Sequence, residues 1–404
     1  GLAPSGKATR ELAGSEPDDV RTLASQIAKA RANGPETDGK PKTWILDEAG
    51  MVGSADMQAF LGQVGERDRV ILVGDQRQLE AVEAGTPFDR LQVEGMQTAE
   101  ITEIRRQKDA EQRRVAELFS EGRNDEAAEA AKQYMHPVKT GERKSDSKGE
   151  KRDKRREAIA DETAGRWLAM NEQQRADTLI LAPTNDTRER INEKVRAGLD
   201  AQAEAAGKPR EQFGEVERLE KVDLSRERRQ RAGSYRHRIR NGEDVRADYN
   251  GQTVRLVDAD PKTNGVTIEG ENGRRQQIEA AQLADSRIWQ VEKMALADGD
   301  RLLFRANDKT NGINNGEAGT VVGRKGDKLV VELDGDERRR IEIDAAAGLR
   351  ADYGFARTVH AAQGATVPHA LVAGEASRVS TANAAYVAMS RQKQSVEVVT
   401  DNPK

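Results

Sequence analysis

The sequence predicts an α/β protein of two parallel-sheet lobes, the second interrupted by a small β-rich insertion. Three observations carry this. Short apolar runs at residues 43–46, 70–73, 178–181, 370–373 and 396–399 are rich in β-branched residues or Leu, lack alternation and lie beside helical patterns, as the doubly covered strands of a parallel sheet do. From about residue 245 the texture changes to short alternating strands separated by Gly, Asn and Asp turns, and the α/β pattern returns at Tyr353. Finally, Leu2-Ala3-Pro4-Ser5 has an echo in Leu181-Ala182-Pro183-Thr184. Each opens a helical pattern, with Leu12 and Ile191 aligned, which predicts a duplicated core.

In chain order, residues 1–107 form the first lobe. Residues 108–244 supply a helical connection, a charged loop and the start of the second lobe. The insertion occupies 245–349, and 350–404 complete the second lobe. Within this frame the Ala- and Glu-rich run 110–133 has helical spacing. Residues 137–160 lose hydrophobic periodicity and are expected to form a mobile loop, with a helix resuming near 159–170. Alternating strands are expected at 251–257, 265–268, 301–304, 319–322 and 328–333.

Composition sets limits. The 404 residues suffice for several domains, and 36% hydrophobic with 34% charged residues is polar yet globular. The net charge of −4 gives no bulk basicity, but charge is clustered. Residues 138–156 hold nine Lys/Arg against four acids, and 226–240 hold seven Arg against one Glu. Such runs are solvated faces unless their placement shows phosphate contact. The absence of cysteine removes disulfides, thiolate catalysis and Cys-based zinc sites, and the four His lack metal-ligand spacing. With no apolar run of bilayer length and no signal-like N-terminus, a cytoplasmic chain without membrane insertion is expected. Aromatic residues are 3% of the chain, too few for extensive base stacking.

The polar residues that follow the strands carry the chemistry, because open α/β sheets bind ligands at the carboxyl ends of their strands. Asp47-Glu48 suits an NTPase that needs one carboxylate to hold Mg²⁺ through water and a second to orient the attacking water. An acid-rich helix start accounts for the same pair. Gly74, Asp75 and Gln78 follow the next strand, where a Gln amide is able to sense a γ-phosphate; an ordinary strand-to-helix turn is the other reading. Arg106 and Arg391 are candidate arginine fingers, since a guanidinium spreads its donors over a transferring phosphoryl group. His360, Gln363, Gly364 and Thr366 occupy a junction that begins at Thr358 and suits close approach to phosphates, though a single His there also serves as a structural residue. The segment Gly1-Leu2-Ala3-Pro4-Ser5-Gly6-Lys7-Ala8 imitates a phosphate loop but lacks the terminal Ser/Thr and a preceding strand. The main triphosphate cradle is therefore expected upstream, and these residues alone are expected to be inactive.

Taken together the motifs resemble the RecD-like branch of superfamily 1 DNA helicases, most closely the helicase half of conjugative relaxases of the MobF type. Residues 2–12 look like motif Ia, Asp47-Glu48 motif II, residues 74–79 motif III, residues 103–107 motif IV, residues 358–366 motif V and residues 386–391 motif VI. Residues 81–88 and 91–96 pull the resemblance toward relaxases. Ala182-Pro183-Thr184-Asn185 and Asn192 resemble the DNA-contacting segment of the second half. Residues 299–308 and 315–319 resemble an inserted SH3-like barrel.

The resemblance implies two RecA-like lobes, an SH3-like β-barrel in the second, and ATP-driven 5′→3′ movement along single-stranded DNA during plasmid transfer. It implies ATP and Mg²⁺ as cofactors. Asp47, Glu48, Gln78, Arg106 and Arg391 would act in catalysis. ATP would be held by Asp47, Glu48, Gly74, Asp75, Gln78, Gln363, Gly364 and Arg391, with the metal on Asp47. DNA contacts would come from Pro4, Ser5, Lys7, Pro183, Thr184, Asn185, Thr358, His360 and Thr366. Implied partners are an N-terminal relaxase domain in the same polypeptide and the coupling protein of a type IV secretion machine, around a monomeric motor. Two alternatives stay open: a vestigial, non-hydrolysing single-strand-binding copy, and a RecD-type repair subunit.

Overall fold

The computed structural model describes all residues except 35–38, 77, 79–84, 102–103, 105, 271, 309, 336–338, 363–364, 376–381 and 403–404. It divides into two units, Gly1–Ala205 with Phe355–Lys404, and Ala206–Gly354.

The first lobe runs β1 (Leu2–Ala3), α1 (Gly6–Ala13), β2 (Arg21–Thr22), α2 (Leu23–Asn33), β3 (Thr43–Leu46), α3 (Ser54–Leu61), β4 (Arg69–Leu72) and α4 (Pro87–Val93). The strands pair in parallel in the order β2-β1-β3-β4. One face is closed by Leu2, Leu23, Ile27, Leu46, Met57, Phe60 and Phe88, with Trp44 set edge-on against Phe60. Asp68, just before β4, ties the start of β3 to the loop that leads into β4. Its carboxylate accepts from the Lys42 amide at 2.8 Å, the Trp44 indole at 2.9 Å and the Gly65 amide at 3.0 Å. On β4, the sheet's edge strand, Ile71 remains 41% exposed, and Val73 just beyond it 46%.

The chain continues through α5 (Ala110–Ser120), α6 (Asn124–Ala131), β5 (Met135–Pro137), α7 (Lys148–Ala169), α8 (Glu172–Asp177), β6 (Thr178–Ala182) and α9 (Asn185–Ala205). Two expectations are corrected here. The run 110–133 is two helices, because Gly122 takes φ 75° after α5 and ends it as a left-handed glycine does. The charged stretch is a loop only as far as Ser147, after which it becomes the 22-residue helix α7. Ser147 and Glu150 form a reciprocal capping box. The charges there pair across the structure: Glu142 with Arg155, Asp146 with Lys154, and Glu157 with Arg190 and Lys194 of α9.

The inserted unit contains β7 (Gln212–Lys221), α10 (Arg226–Arg229), α11 (Gly233–Arg240), β8 (Val245–Tyr249), β9 (Gln252–Asp260), β10 (Gly265–Glu269), β11 (Arg275–Glu279), β12 (Ile288–Ala297), β13 (Arg301–Phe304), β14 (Ala318–Lys325), β15 (Lys328–Leu333), β16 (Arg340–Asp344) and β17 (Ala351–Tyr353). It starts at Ala206 and not near 245, because β7 pairs along its whole length with β12. There are two antiparallel sheets, β11-β10-β9-β8-β12-β7 and β16-β15-β14-β13-β17. The first has its own core around Tyr235, Leu256 and Ile288. The second closes over Phe213, Val216, Met294 and Leu296 from β7 and β12, with Leu302, Leu329 and Val331. The insertion is thus larger than one small barrel.

The second lobe then finishes with β18 (Ala356–Thr358), β19 (Val367–Gly374), α12 (Ala382–Met389) and β20 (Gln392–Thr400). Its sheet, β18-β6-β19-β20-β5, is parallel throughout. The expected duplication is visible in detail. After β1, Ser5 caps α1 by accepting from the Ala8 amide at 3.2 Å, and after β6, Thr184 accepts from the Thr187 amide at 3.2 Å. Among the described residues no helix is long and apolar enough to cross a membrane.

Candidate nucleotide site and strand-end turns

Asp47 and Glu48 emerge from the carboxyl end of β3, the strand between β1 and β4. The Asp47 carboxylate accepts from the Glu48 amide at 2.9 Å. Glu48 sits at φ 51°, ψ 40° and opens a short 3₁₀ turn, Ala49–Met51. A non-glycine residue held there stores of the order of 1 kcal/mol of strain, which folds tolerate mainly at functional positions. The turn is pinned to the neighbouring strand by the Ala49 amide, which donates to the Val73 carbonyl at 2.8 Å. Gly74 makes that approach feasible, since a Cβ there would stand 2.9 Å from the Gly50 nitrogen. Asp75 and Gln78 follow, the Gln78 amide donating to Asp75 at 3.1 Å.

The second lobe contributes Arg391, two residues after the end of α12. It is only 1% exposed. Its Nε donates to the Val387 carbonyl at 3.0 Å, and one Nη donates to the Ser390 hydroxyl at 3.2 Å and to the Gln78 side-chain oxygen at 3.3 Å. The chain separation of the last contact is 313 residues, so it joins the two lobes. Arg106 is anchored to the second lobe, donating to the Ser390 carbonyl at 2.9 Å. Its neighbour Gln107 is 1% exposed and donates to the carbonyls of Ser390 and Gln392. Tyr386, on α12, hydrogen-bonds Asp75 of the first lobe.

The electrostatics are those of an anion site. Burial, together with the like charge of Arg106, brings the Arg391 guanidinium down to about 10, against the pull of Glu48, Tyr386 and Asp75. It remains a cation at neutral pH. Burial first, and then the Asp75 carboxylate, push the Tyr386 phenol up to about 12. Two guanidiniums held near one another in a poorly solvated crevice are stabilised by a shared anion. Glu48 and Asp75 supply part of that charge from the other lobe.

The remaining sequence candidates divide by position. Gln363 and Gly364 lie outside the described residues. Pro4 and Ser5 form the β1–α1 turn, which Lys7 follows within α1. Pro183, Thr184 and Asn185 form the β6–α9 turn. Thr358 pairs in register with Ala182 at the same carboxyl edge, accepts from the Ala361 amide at 3.2 Å, and leads to the exposed His360. Thr366 stands apart from these. It precedes β19 at the amino edge, where the Val367 amide donates to the Arg391 carbonyl at 3.1 Å. Asn192 is 2% exposed and accepts from the Ala356 amide at 2.7 Å; it fixes the start of β18, and its amide oxygen faces protein.

Several site neighbours escape sequence reasoning. Glu375, after β19, accepts from Thr187 at 2.5 Å, Thr184 at 3.3 Å and Arg156 of α7 at 2.6 Å. It therefore fixes the β6–α9 turn. Tyr386 and Ser390 carry a signal, one helical turn apart on the approach to Arg391. Glu375 carries none.

Residues 1–141 match the AAA domain family. The whole chain is 26% identical to the multifunctional conjugation protein TraI of Escherichia coli and covers 24% of its length. Over 98% of the chain it is 26% identical to the conjugal transfer protein TraA of Rhizobium radiobacter, covering 28% of that protein. The chain thus spans about a quarter of these relatives. Among solved structures, Bacteroides Pif1 bound to ssDNA aligns over 100% of this chain and 82% of that one, at 14% identity and a TM-score of 0.50. Pif1 helicase from Candida albicans aligns over 100% and 84%, at 13% identity and a TM-score of 0.51. These two likenesses establish the shared fold. In sequence the chain is similar to about a quarter of each of these conjugation proteins, and in fold to the Pif1 helicases.

Proposed function

We propose that this domain is the ATP-driven motor of a conjugative relaxase, moving 5′→3′ along single-stranded DNA during plasmid transfer. The observation that carries the proposal is the meeting of Gln78 from one lobe with Arg391 from the other, 3.3 Å apart, beside Glu48 and Arg106. ATP at this crevice exchanges the Gln78–Arg391 bond for bonds from both side chains to phosphate, drawing the lobes together. Glu48 orients and deprotonates the attacking water, and the guanidiniums of Arg391 and Arg106 neutralise charge on the transferring phosphoryl group. Hydrolysis removes that anion and releases the lobes. The β1–α1 and β6–α9 turns, at equivalent positions in the two lobes, hold the strand and shift relative to one another in each cycle.

The donor set fits Mg²⁺. Among the described residues no group of three His, Cys, Asp or Glu forms a protein cage. Asp47 at a strand end is the arrangement Mg²⁺ takes when phosphate and water supply its other ligands. When bound, the ion would neutralise phosphate charge. The phosphate loop is assigned to a preceding segment, and the exposed Ile71 and Val73 mark the sheet edge that an additional parallel strand would cover. The same longer polypeptide would carry the nicking domain, and the secretion coupling protein would be its partner.

The test is Glu48→Gln in the longer protein that includes this preceding segment. Turnover of ATP should fall by about 10²–10⁴-fold, the usual worth of a general base, while ATP affinity stays within a few fold. Unchanged turnover removes Glu48 from the mechanism. ATP binding without measurable turnover in the parent protein would instead identify a non-hydrolysing single-strand-binding domain.

A further inference from the structure

We propose that α10 and α11 of the inserted unit form a docking site for the phosphate backbone of duplex DNA, separate from the single-strand turns of the lobes. The arginine run 226–240 is otherwise unexplained by the motor. It holds seven arginines, no lysine and one glutamate in a chain whose net charge is −4. Its placement is fixed from within. Ala232 and Tyr235 are fully buried in the core of the first inserted sheet, and the Tyr235 hydroxyl donates to the Arg229 carbonyl at 2.6 Å. Anchored this way, the two helices turn their cationic side outward.

Arg228, Arg231 and Arg240 are exposed, and among the described residues none of the three has an ion pair. Arg226 is paired with Asp285 at 3.2 Å and Arg238 with Glu243 at 2.8 Å, which leaves Arg228 and Arg231 near the start of the run and Arg240 at the end of α11. Arg228 and Arg231 line a cleft of about 430 Å³ together with Ser234, His237 and Arg238, with Glu243 as its one carboxylate. Guanidinium groups without neutralising partners, beside a hydroxyl donor in a concave site, are suited to bidentate contact with phosphate. Tyr235, the one Phe, Tyr or Trp of the run, is buried, so the cleft offers single-stranded bases only the His237 ring to stack on. Backbone recognition remains, and a duplex presents it most densely, at about one charge per 1.7 Å of axis.

The test uses the full chain without nucleotide, a labelled 20-bp blunt duplex and an oligo-dT of equal length, with affinities followed from about 50 to 200 mM salt. In the variant Arg228→Ala/Arg231→Ala/Arg240→Ala, duplex affinity is expected to drop by about 10–100-fold. The slope of log K against log[salt] should become shallower by about 2–3, near 0.9 per lost phosphate contact. Oligo-dT binding should stay within about twofold. The matching Lys variant should keep the salt slope, which separates lost charge from lost folding. An unchanged duplex slope, no duplex binding at about 50 mM salt, or an equal loss on oligo-dT overturns the proposal. The first two outcomes leave an acidic protein surface as the fitting partner. Failure of the motor reading would show only in ATP turnover, which this measurement does not use.

Discussion

Asp68 gathers two backbone amides and an indole N–H onto one carboxylate, joining β3 to the loop that feeds β4. The Trp44 indole above all, then the Gly65 and Lys42 amides, hold its carboxyl below the usual carboxylate range. The sign follows from linkage. The folded group binds its proton less readily than the unfolded one, so its contribution is fully present above the unfolded value and is lost as pH falls through the depressed folded value. Asp68→Asn should therefore lower the urea midpoint of the first lobe at pH 7, with the gap to wild type closing below about pH 4. A gap that persists undiminished in acid would show that the carboxylate's charge is not what binds these donors. Single residues also show where sequence reasoning stops. Asp47, Glu48, Gln78 and Arg391 are legible because they follow a strand or close a motif, which local pattern reveals. Glu375 is not, because the hydroxyl it accepts from, Thr187, is 188 residues away. Gln107 is hidden likewise, its acceptor lying 283 residues on.

At the scale of elements, β6, β19 and β20 are legible because burial on two faces leaves an unbroken apolar signature, and β3 and β4 because their runs are apolar although β4 stays partly exposed; the two- and three-residue strands β1, β2, β5 and β18 are too short to leave such a run. The stretch around α7 is the counterexample. Its composition is that of a solvated loop, yet alternating charges at helical spacing pair with one another and with α9. Only Ile159, Ala160, Thr163, Ala164 and Trp167, toward its end, are buried. The start of the insertion is equally hidden, since β7 becomes a strand through β12, a partner more than 60 residues away. If the capping box fixes where α7 begins, Ser147→Ala should destabilise the protein by about 1 kcal/mol, and Ser147→Asp should retain most of that. Urea unfolding followed by circular dichroism measures both. Equal midpoints for Ser147→Ala and wild type would mean that ion pairs with Glu142 and Asp146 position the helix without help from its cap.

At the scale of the whole molecule, two bonds cross between the lobes close together: Arg391 to Gln78, and Tyr386 to Asp75. Gln78 and Asp75 are bonded to each other, so the two crossings are linked on the first lobe, while α12 and the two residues after it link them on the second. Breaking one loads the other, and this is how loss of a phosphate anion could be felt throughout the domain. The absence of cysteine makes the idea measurable, because Glu66→Cys on the first lobe and Glu172→Cys on the second are both exposed positions that accept spin labels without competition. Each crossing, at about 1 kcal/mol for a net hydrogen bond, sets the closed-to-open ratio by about fivefold. Tyr386→Phe should accordingly shift the label–label distance distribution toward longer separations by that factor, and adding Arg391→Ala should shift it further. The second step should exceed the first, because the cation also loses its attraction to Glu48 and Asp75. Distributions unchanged by both substitutions would mean that the lobes are held by the 106–107 segment and its bonds to Ser390 and Gln392, in which case nucleotide would have to act through that segment to move them.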